Sequence, residues 1–389
     1  MKGLVFGAGN IGRGFLGLLL ANAGFEVTFV DVDAAKVSAI NAAHEYPVFV
    51  VSEKGIKEEV VCGVSAIHAQ DLDAIVKAVV EAEIILTAVG KDALKYLAPS
   101  LARGLMRRTQ LRPHAEMRVA VVACENVQDN TAFLRDLIFE HVGVDEKDLL
   151  THAISFPNCV VDRIVPNTLP CASDSTLAVA VEEYFQLAID GEGLMGSFPK
   201  IEGVEISSNL SATLEQKLCT LNMAHAIVGY FGYLRKHRFV HDAVEDPDIS
   251  ELLTGALREV SETISLRHAS ISRTAQDAYA NKVVARFRNA HLQDEIVRVA
   301  RQPMRKLGAN DRLVKPAVLA SELGKVPAFL ASGITAALHY NYALDTEAQG
   351  LVSTIREQGI ERVLEQVSGL QPDSDVARLV KADFLLRAL

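Results

Sequence analysis

The stretch Gly3-Leu-Val-Phe-Gly7-Ala-Gly9-Asn-Ile-Gly12 decides the fold of the first half of this chain. Its apolar start predicts a short strand, and the spacing G-x-G-x-x-G predicts a tight turn that opens a helix. The apolar run over residues 13–23 continues this helix, and Val27-Thr-Phe-Val-Asp31 predicts a second strand that ends in an acid. Together these elements predict the start of a doubly wound α/β sheet.

A turn of this kind suits a dinucleotide. The first glycine permits the sharp turn, the second lets the backbone approach a pyrophosphate, and the third lets helix and strand pack closely. The helix N-terminus adds free N–H groups and the positive end of its dipole. Asp31 would accept hydrogen bonds from ribose hydroxyls and repel a 2′-phosphate, which favours NAD over NADP. The alternative is a glycine-rich turn that binds no ligand.

The alternation of helices and strands continues to about residue 123. Helices are predicted over 69–81 and 92–105, the second with a break or restart at Pro99, and buried strands over 84–89 and 119–123. Ligands bind outside the carboxyl ends of parallel strands. The predicted cofactor-binding residues are therefore Gly7, Ala8, Gly9, Asn10, Ile11, Gly12, Asp31, Thr87, Ala88, Val89 and Gly90.

Three further polar residues of the first half are candidates for the reacting centre. Asn126 follows the strand over 119–123 and could reach a substrate, or it could be a capping amide. Asp162 and Arg163 lie between apolar residues, so both charges need partners. Asp162 could accept a hydrogen bond from a substrate hydroxyl, or the pair could be a salt bridge. Two short strands are predicted over 176–190.

The second half of the chain has the period of helices. The Gly-rich connector over 191–203 separates a predicted Rossmann domain, 1–195, from a mainly α-helical domain, 196–389. The predicted fold class is thus an α/β N-terminal domain with a parallel sheet, followed by a helical domain. The helices are predicted at 208–235, 248–266, 272–288, 293–306, 312–323, 327–340, 346–358, 360–367 and 374–387.

The first of these helices carries Lys217, Asn222 and His225. At ~100° per residue, Asn222 lies about 140° and His225 about 80° round the axis from Lys217, so all three could face one cavity. An amine can move a proton, an amide can hold a developing oxyanion, and an imidazole can orient a hydroxyl. The alternative is a polar stripe with a solvated lysine.

A basic segment stands out further along this acidic chain. Guanidinium groups suit phosphate and carboxylate geometry, so the segment could bind an anionic small substrate. The alternative is a solvated basic face, or pairing of these cations with the many Asp and Glu residues. Its cations are Arg298, Arg301, Arg305, Lys306, Arg312 and Lys315.

Composition narrows the function classes. The 389 residues carry a net charge of -10, which argues against non-specific nucleic-acid binding. No apolar run reaches the length of a membrane span. The five cysteines are scattered, which predicts buried free thiols in a reducing cytoplasm rather than disulfides or a zinc site.

Taken together, the motifs resemble the mannitol dehydrogenase family of polyol-specific long-chain dehydrogenases, in its short bacterial form, from residue 1 to near the C-terminus. One departure is Asn289-Ala-His291, where the family often has Asn-Pro-Tyr. The matching motifs are Met1 to Phe15, Ala123-Cys-Glu-Asn126, Val161-Asp-Arg-Ile-Val-Pro166, Lys217-x4-Asn222-x2-His225, Arg301-Gln-Pro-Met-Arg-Lys-Leu307 and Asp311-Arg-Leu-Val-Lys-Pro316.

The resemblance implies a metal-free enzyme that interconverts mannitol 1-phosphate and fructose 6-phosphate with NAD. A cytoplasmic location, and a monomer or homodimer, are expected as well. It implies Lys217 as general acid/base, Asn222 and Asn126 at the developing alkoxide, His225 orienting the substrate and Asp162 holding a hydroxyl. The substrate-binding residues expected are Asp162, Arg163, Arg298, Arg301, Arg305 and Lys315, with Arg298 the leading candidate for the phosphate. The alternatives are a dehydrogenase of an unphosphorylated polyol or a uronate, and a non-catalytic NAD sensor.

Overall fold

The computed structural model describes residues 1–112, 118–196 and 198–387, and it divides into two compact units, Met1–Thr213 and Leu214–Leu389. The strands all lie in the first unit. They are β1 Lys2–Phe6, β2 Glu26–Asp31, β3 Glu45–Ser52, β4 Gly55–Cys62, β5 Val64–His68, β6 Ile84–Thr87, β7 Val119–Ala123, β8 Ile154–Ser155, β9 Cys159–Asp162, β10 Val179–Glu182, β11 Gln186–Asp190 and β12 Val204–Ser207.

The main sheet is parallel throughout its described strands, in the order β5-β2-β1-β6-β7-β8. The chain order of these strands across the sheet is 3-2-1-4-5-6, which is the order of the dinucleotide-binding fold. Phe6 lies opposite both Val30 and Thr87, so β1, β2 and β6 end level with one another. The predicted α/β class is confirmed, and the residues after these three strands meet at one edge.

Both faces of this sheet are covered, as its continuous apolar strands require. Successive side chains of a strand point to opposite faces. Accordingly, Leu4 and Phe6 lie in one hydrophobic core and Val5 lies in the other. The two cores thus pack against opposite faces of the sheet.

The helices of the first unit agree with the predicted alternation except at one proline. The first begins as a π turn over Gly12–Gly17, and α4 runs through Pro99 without the predicted break. Pro99 and Lys95, whose carbonyl the proline leaves unpaired, are both exposed, so water can satisfy that carbonyl. The helices are α1 Leu18–Asn22, α2 Ala34–Ala43, α3 Leu72–Glu81, α4 Leu94–Leu111, α5 Asn130–Phe139 and α6 Val144–Ala153.

Two small sheets complete the first unit. The antiparallel hairpin of β3 and β4 pairs with β10, and β11 lies between β9 and β12. The two strands predicted over 176–190 are confirmed as β10 and β11.

The rest of the chain is helical, as predicted. A single helical run covers α7, a π turn over Leu218–Asn222, and α8. The helices are α7 Leu210–Lys217, α8 Met223–Leu234, α9 Val240–Glu245, α10 Pro247–Arg267, α11 Arg273–Phe287, α12 Ile296–Ala300, α13 Pro303–Lys306, α14 Val314–Glu322, α15 Ala328–Leu338, α16 Thr346–Gln366 and α17 Asp375–Arg387.

The helix predicted over 293–306 is wrong, because α12 ends at Ala300 and α13 begins at Pro303. A proline disfavours the helical conformation of the residue before it. That residue, Gln302, has a positive φ of 59°. The break frees the last carbonyls of α12 for other partners.

Two further findings bear on the compositional predictions. No helix of the described residues has the length and apolar character to cross a membrane. All five cysteines are free thiols, but the prediction that they are buried is wrong for two of them, since Cys62 and Cys171 are exposed. Cys62 is on the edge strand of a small sheet and Cys171 lies in a loop. Neither side chain packs into a hydrophobic core.

Candidate functional site

The glycine turn between β1 and the first helix has the shape that a dinucleotide needs. Gly7 has a φ of 97°, and a Cβ on Gly12 would lie 1.8 Å from the Gly7 carbonyl oxygen, so the turn closes only with glycine there. At Gly9, by contrast, a Cβ would meet no atom within 4 Å. The backbone at Gly9 is therefore open to an approaching phosphate, next to the N-terminus of the helix.

Asp31 connects the end of β2 to this turn. Its Oδ2 accepts a hydrogen bond from the Ala8 N–H at 2.7 Å, and its Oδ1 accepts one from the Asp33 N–H at 2.9 Å. The Lys36 ammonium lies 3.7 Å from Oδ1. A carboxylate held at the turn in this way suits ribose hydroxyls, and these residues fit a bound NAD.

Two residues that the sequence reasoning missed shape the cofactor edge. Glu125 is buried, and its carboxylate accepts hydrogen bonds from the Thr87 hydroxyl at 2.9 Å, the Val89 N–H at 3.0 Å and the Gly90 N–H at 2.8 Å. It thereby fixes the loop after β6. Arg13 is also buried, and its guanidinium donates to the Ala8 carbonyl in the glycine turn. Each is a charged residue directly beside a predicted site residue, since Glu125 precedes Asn126 and Arg13 follows Gly12. That neighbourhood is the feature of the sequence by which they could have been found.

The other polar candidates of the first unit occupy different settings. Asn126 is exposed after β7, and Asp162 is buried at the end of β9. The Arg163 guanidinium lies over the rings of Phe15 and Phe185, at 5.5 and 5.4 Å from their centroids, and burial lowers its pKa to about 10. Its Nε donates to the Glu182 carbonyl at 2.9 Å, so Arg163 is anchored within this unit.

In the second unit, the π turn changes the geometry of the lysine motif. The Met223 N–H donates to the Leu218 carbonyl five residues earlier, so this turn contains one more residue than an α-helical turn. Correcting for that residue, Asn222 lies only about 40°, and His225 about 20°, round the axis from Lys217. The regular helix assumed from sequence gave wider angles. The spacing Lys-x4-Asn-x2-His thus presents its three side chains on one face.

The three side chains are sheltered from water. Lys217 is 6% exposed and Asn222 is 9% exposed. Within the described part of the chain, the Asn222 amide has no hydrogen-bond partner, so both its oxygen and its N–H₂ can serve a bound molecule. The His225 ring stacks on Phe287 with the centroids 4.7 Å apart.

His225 is oriented by a buried ion pair. Its Nε2 lies 3.1 Å from Oδ2 of Asp294, and Arg298 donates to the same carboxylate through Nε at 2.5 Å and Nη2 at 2.6 Å. Asp294 is 4% exposed. Because the carboxylate is ionised, Nε2 carries the hydrogen and the Nδ1 of His225 is left as an acceptor. Arg298, which was predicted to bind the substrate phosphate, thus forms a bidentate ion pair with Asp294.

The charges of this group follow from its burial and contacts. Burial lowers the pKa of His225, and the hydrogen bond and charge of Asp294 only partly oppose this. Burial alone would raise the pKa of Asp294, but the Arg298 charge and the hydrogen bonds from His225 and Arg298 lower it overall. The arrangement therefore favours a neutral imidazole beside an ionised carboxylate.

Gln276 is a further residue that the sequence did not indicate. It is fully buried on α11, and its amide donates to the Thr220 hydroxyl at 2.8 Å, inside the π turn. Its oxygen accepts from the Gln216 amide at 2.8 Å. These two contacts lie on either side of Lys217 in the chain and hold the π turn in place.

The remaining predicted substrate cations of the basic segment differ in whether an acidic side chain pairs with them. Lys315 lies 3.0 Å from Oε1 of Glu215, a buried carboxylate that also binds Arg267. Arg301 and Arg305 are exposed and have no ion pair within the described residues.

Two other expectations concern a loop and metals. In the departing segment, the Asn289 side chain accepts from the His291 N–H at 3.1 Å and forms a local turn. Among the described residues, no three histidine, cysteine or acidic side chains are grouped as metal ligands.

Comparison with known proteins gives consistent results along the whole chain. The model of the mannitol dehydrogenase Rossmann domain matches residues 1–203, and that of the mannitol dehydrogenase C-terminal domain matches residues 209–384. The chain is 40% identical over 381 residues to mannitol-1-phosphate 5-dehydrogenase of Bacillus pumilus, covering 98% of each chain. It is 39% identical over 386 residues to the enzyme of the same name from Geobacillus thermodenitrificans, covering 99% of this chain and 98% of the relative.

Solved structures show the same fold. Mannitol 2-dehydrogenase of Pseudomonas fluorescens, in a ternary complex with NAD and D-mannitol, has a TM-score of 0.78 at 17% identity and covers 100% of this chain and 92% of its own. A substrate-free D-sorbitol dehydrogenase has a TM-score of 0.81 at 16% identity, with 100% and 93% covered. From both family models and these relatives, the chain belongs to the mannitol dehydrogenase family.

Proposed function

We propose that this chain is an NAD-dependent oxidoreductase that interconverts D-mannitol 1-phosphate and D-fructose 6-phosphate. The reaction type is carried by one observation, the lysine, amide and imidazole that the π turn aligns on one buried helix face. The choice of substrate is supported by the relatives of about 40% identity that bear this activity in their names. The glycine turn with Asp31 supports NAD as the cofactor.

The residues of the second unit have distinct roles in this proposal. Unprotonated Lys217 removes the proton from the secondary hydroxyl of the polyol and returns it in the reverse direction. Asn222 donates a hydrogen bond to the oxygen as it gains negative charge. The Nδ1 of His225, an acceptor because Asp294 binds Nε2, orients a substrate hydroxyl. NAD, when bound, supplies the hydride acceptor.

Residues of the first unit complete the assignment. We propose Asn126 as a second donor to the reacting oxygen and Asp162 as the acceptor of a substrate hydroxyl. Asp31 and the backbone of Gly7 to Gly12 hold the dinucleotide, and Glu125 stabilises the loop from Thr87 to Gly90. Except for Asp162, which ends β9 in a small sheet, these residues follow strands at the carboxyl edge of the main sheet, where ligands of this fold bind.

We further propose a cytoplasmic enzyme, a monomer or homodimer, and the five free thiols favour a reducing compartment. Light scattering at several protein concentrations measures the oligomeric state. A disulfide-linked dimer as the active form would contradict the choice of compartment.

The decisive experiment follows NADH absorbance with fructose 6-phosphate, fructose and fructuronate. The proposal requires kcat/KM for fructose 6-phosphate to exceed the other two by at least about a hundredfold, since a bound phosphate contributes several charge-assisted hydrogen bonds. A preference for fructose or fructuronate would instead assign the chain to an unphosphorylated polyol or a uronate. Binding of NADH without turnover of any substrate would indicate a sensor.

A further inference from the structure

The break between α12 and α13 is filled by a buried ammonium group. Lys306 Nζ donates to the Val299 carbonyl at 2.8 Å and to the Arg301 carbonyl, and the side chain is 3% exposed. Within the described residues, no carboxylate lies within 4 Å of this nitrogen. A buried charge held only by neutral acceptors is costly unless an anion joins it.

Two arginines add positive charge at the same place. Burial lowers the pKa of Lys306 well below its ordinary value, and the charges of Arg312 and Arg305 lower it further. Arg312 is buried, and its Nε lies 2.7 Å from Oδ1 of Asp311, which neutralises it. Arg305 has no such partner among the described residues. Among the described residues, Lys306 and Arg305 thus have no carboxylate within ion-pair distance, and Asp311 and Glu347 act on the pKa of Arg305 only from farther away.

A buried hydroxyl lies beside these cations. The ring centroid of Tyr230 is 6.0 Å from Lys306 Nζ, and Tyr230 is fully buried. Its hydroxyl has no hydrogen-bond partner within the described residues, whereas buried hydroxyls are normally paired. Burial raises the pKa of this hydroxyl; the charges of Arg312 and Arg305 oppose that shift, while Tyr340 and Asp345 add to it.

We propose that Tyr230, Arg305, Lys306 and Arg312 form the subsite that binds the phosphate of the substrate. The proposal rests on the function proposed above and adds the residues that distinguish a phosphorylated from an unphosphorylated polyol. A phosphate monoester carries about −1.5 to −2 charge at pH 7, and its approach favours the protonated form of Lys306 beside the guanidinium of Arg305. The Tyr230 hydroxyl donates to a phosphate oxygen.

The position of this group along the helix agrees with such a role. Tyr230 follows His225 by five residues on α8, which is about 7.5 Å along the axis and about 140° round it, so a substrate that reaches both residues bends round the helix. A short polyol chain spans such a distance between its reacting carbon and its terminal phosphate. Arg298, in contrast, has two of its nitrogens bound to Asp294 and is better placed to orient His225.

The first test compares fructose 6-phosphate and fructose as substrates of Lys306→Met, Arg305→Ala and Tyr230→Phe. For the two cation variants, KM for fructose 6-phosphate should rise about tenfold to a hundredfold, and for Tyr230→Phe about threefold to tenfold. With fructose, kcat/KM of the variants should stay within about threefold of the wild type, because these side chains are proposed to bind only the phosphate, which fructose lacks. Lys325→Met, which removes an exposed lysine paired with Glu262, is the matched control and should change neither value.

The second test does not depend on turnover. Inorganic phosphate should raise the melting temperature of the wild type above that in chloride of equal ionic strength, and Lys306→Met should abolish this difference. Because Lys306→Met also leaves the Val299 and Arg301 carbonyls without their donor and lowers the free energy of unfolding, Arg305→Ala, at an exposed position, is a second variant for the same measurement. Equal losses of kcat/KM with fructose 6-phosphate and fructose would overturn the subsite. It would also be overturned if the variants kept the wild-type KM for fructose 6-phosphate and inorganic phosphate did not raise the melting temperature of the wild type. Phosphate stabilisation lost in Lys306→Met, in a wild type that cannot reduce fructose 6-phosphate, would uphold the subsite and reject the proposed function.

Discussion

Replacing Asp294 with asparagine removes the negative charge that His225 and Arg298 share. The side chain keeps its size, but its amide N–H₂ must face either the His225 Nε2–H or an Arg298 donor. The Arg298 charge also loses its counter-ion in a site where Asp294 is 4% exposed. Asp294→Asn therefore affects both the stability of the second unit and the orientation of the imidazole.

The size of the effect follows from burial. Removing one partner of a buried ion pair costs about 3–5 kcal/mol, and because the Arg298 side chain is 20% exposed we expect about 3 kcal/mol. Asp277→Asn is the matched control, since Arg273 binds Asp277 at the same separation of four residues but both side chains are nearly half exposed. That variant should lose at most about 0.5 kcal/mol.

Urea unfolding followed by circular dichroism measures these losses as shifts of the midpoint at unchanged slope. In the same preparations, kcat/KM of Asp294→Asn should fall about tenfold to a hundredfold, because a ring misplaced by about 1 Å costs that much. The double variant Asp294→Leu with Arg298→Met replaces both charges by apolar groups and should recover most of the stability. Its activity should stay low, since the Nε2 of His225 still lacks its acceptor.

Two results would refute this reasoning. If Asp294→Asn were as stable as Asp277→Asn, the buried pair would not support the fold. If the double variant recovered both stability and activity, Asp294 would not orient His225.

Four further predictions can be tested together. Lys217→Met should lower kcat by about 10²- to 10⁴-fold while NAD still raises the melting temperature, and a loss under tenfold would exclude Lys217 as the base. Asp31→Ser should raise the ratio of NADPH to NADH turnover by at least about tenfold, and an unchanged ratio would show that Asp31 does not select the cofactor. Glu125→Gln should raise KM for NADH several-fold with kcat nearly constant, because the loop from Thr87 to Gly90 loses a charged acceptor; equal changes in both would contradict that role. Because burial lowers the pKa of His225, the midpoint of its titration should lie below the ordinary value of about 6.5; a histidine NMR titration midpoint above that value would contradict the assignment.

Local sequence patterns predicted the structure where the backbone conformation or packing tolerates only one residue type. Gly12 lies so close to the Gly7 carbonyl that any side chain would collide with it, so the glycine spacing predicts the turn. The continuous apolar strands likewise predict a sheet covered on both faces. These signals depend on neighbours in the sequence, which is why they can be read without the structure.

Other features depended on partners far away in the chain. The π turn that aligns Lys217 with Asn222 is held by Gln276, nearly 60 residues later, and a regular helix was the natural expectation. Glu125 fixes a loop almost 40 residues before it. Helical periodicity in the sequence does not reveal such contacts, because they join residues that are far apart in the chain.

The sequence by itself determined the doubly wound sheet, the glycine turn at its edge, the helical second half and the three side chains of the lysine motif. Only the tertiary structure decided how those side chains are aligned and which cations remain without a counter-ion. Arg298 and Lys306 look alike in the sequence, yet Asp294 neutralises the first, while carbonyls at a helix break hold the second. The physical reason is that charge at a site is set by the nearest opposite charge, and folding chooses that neighbour.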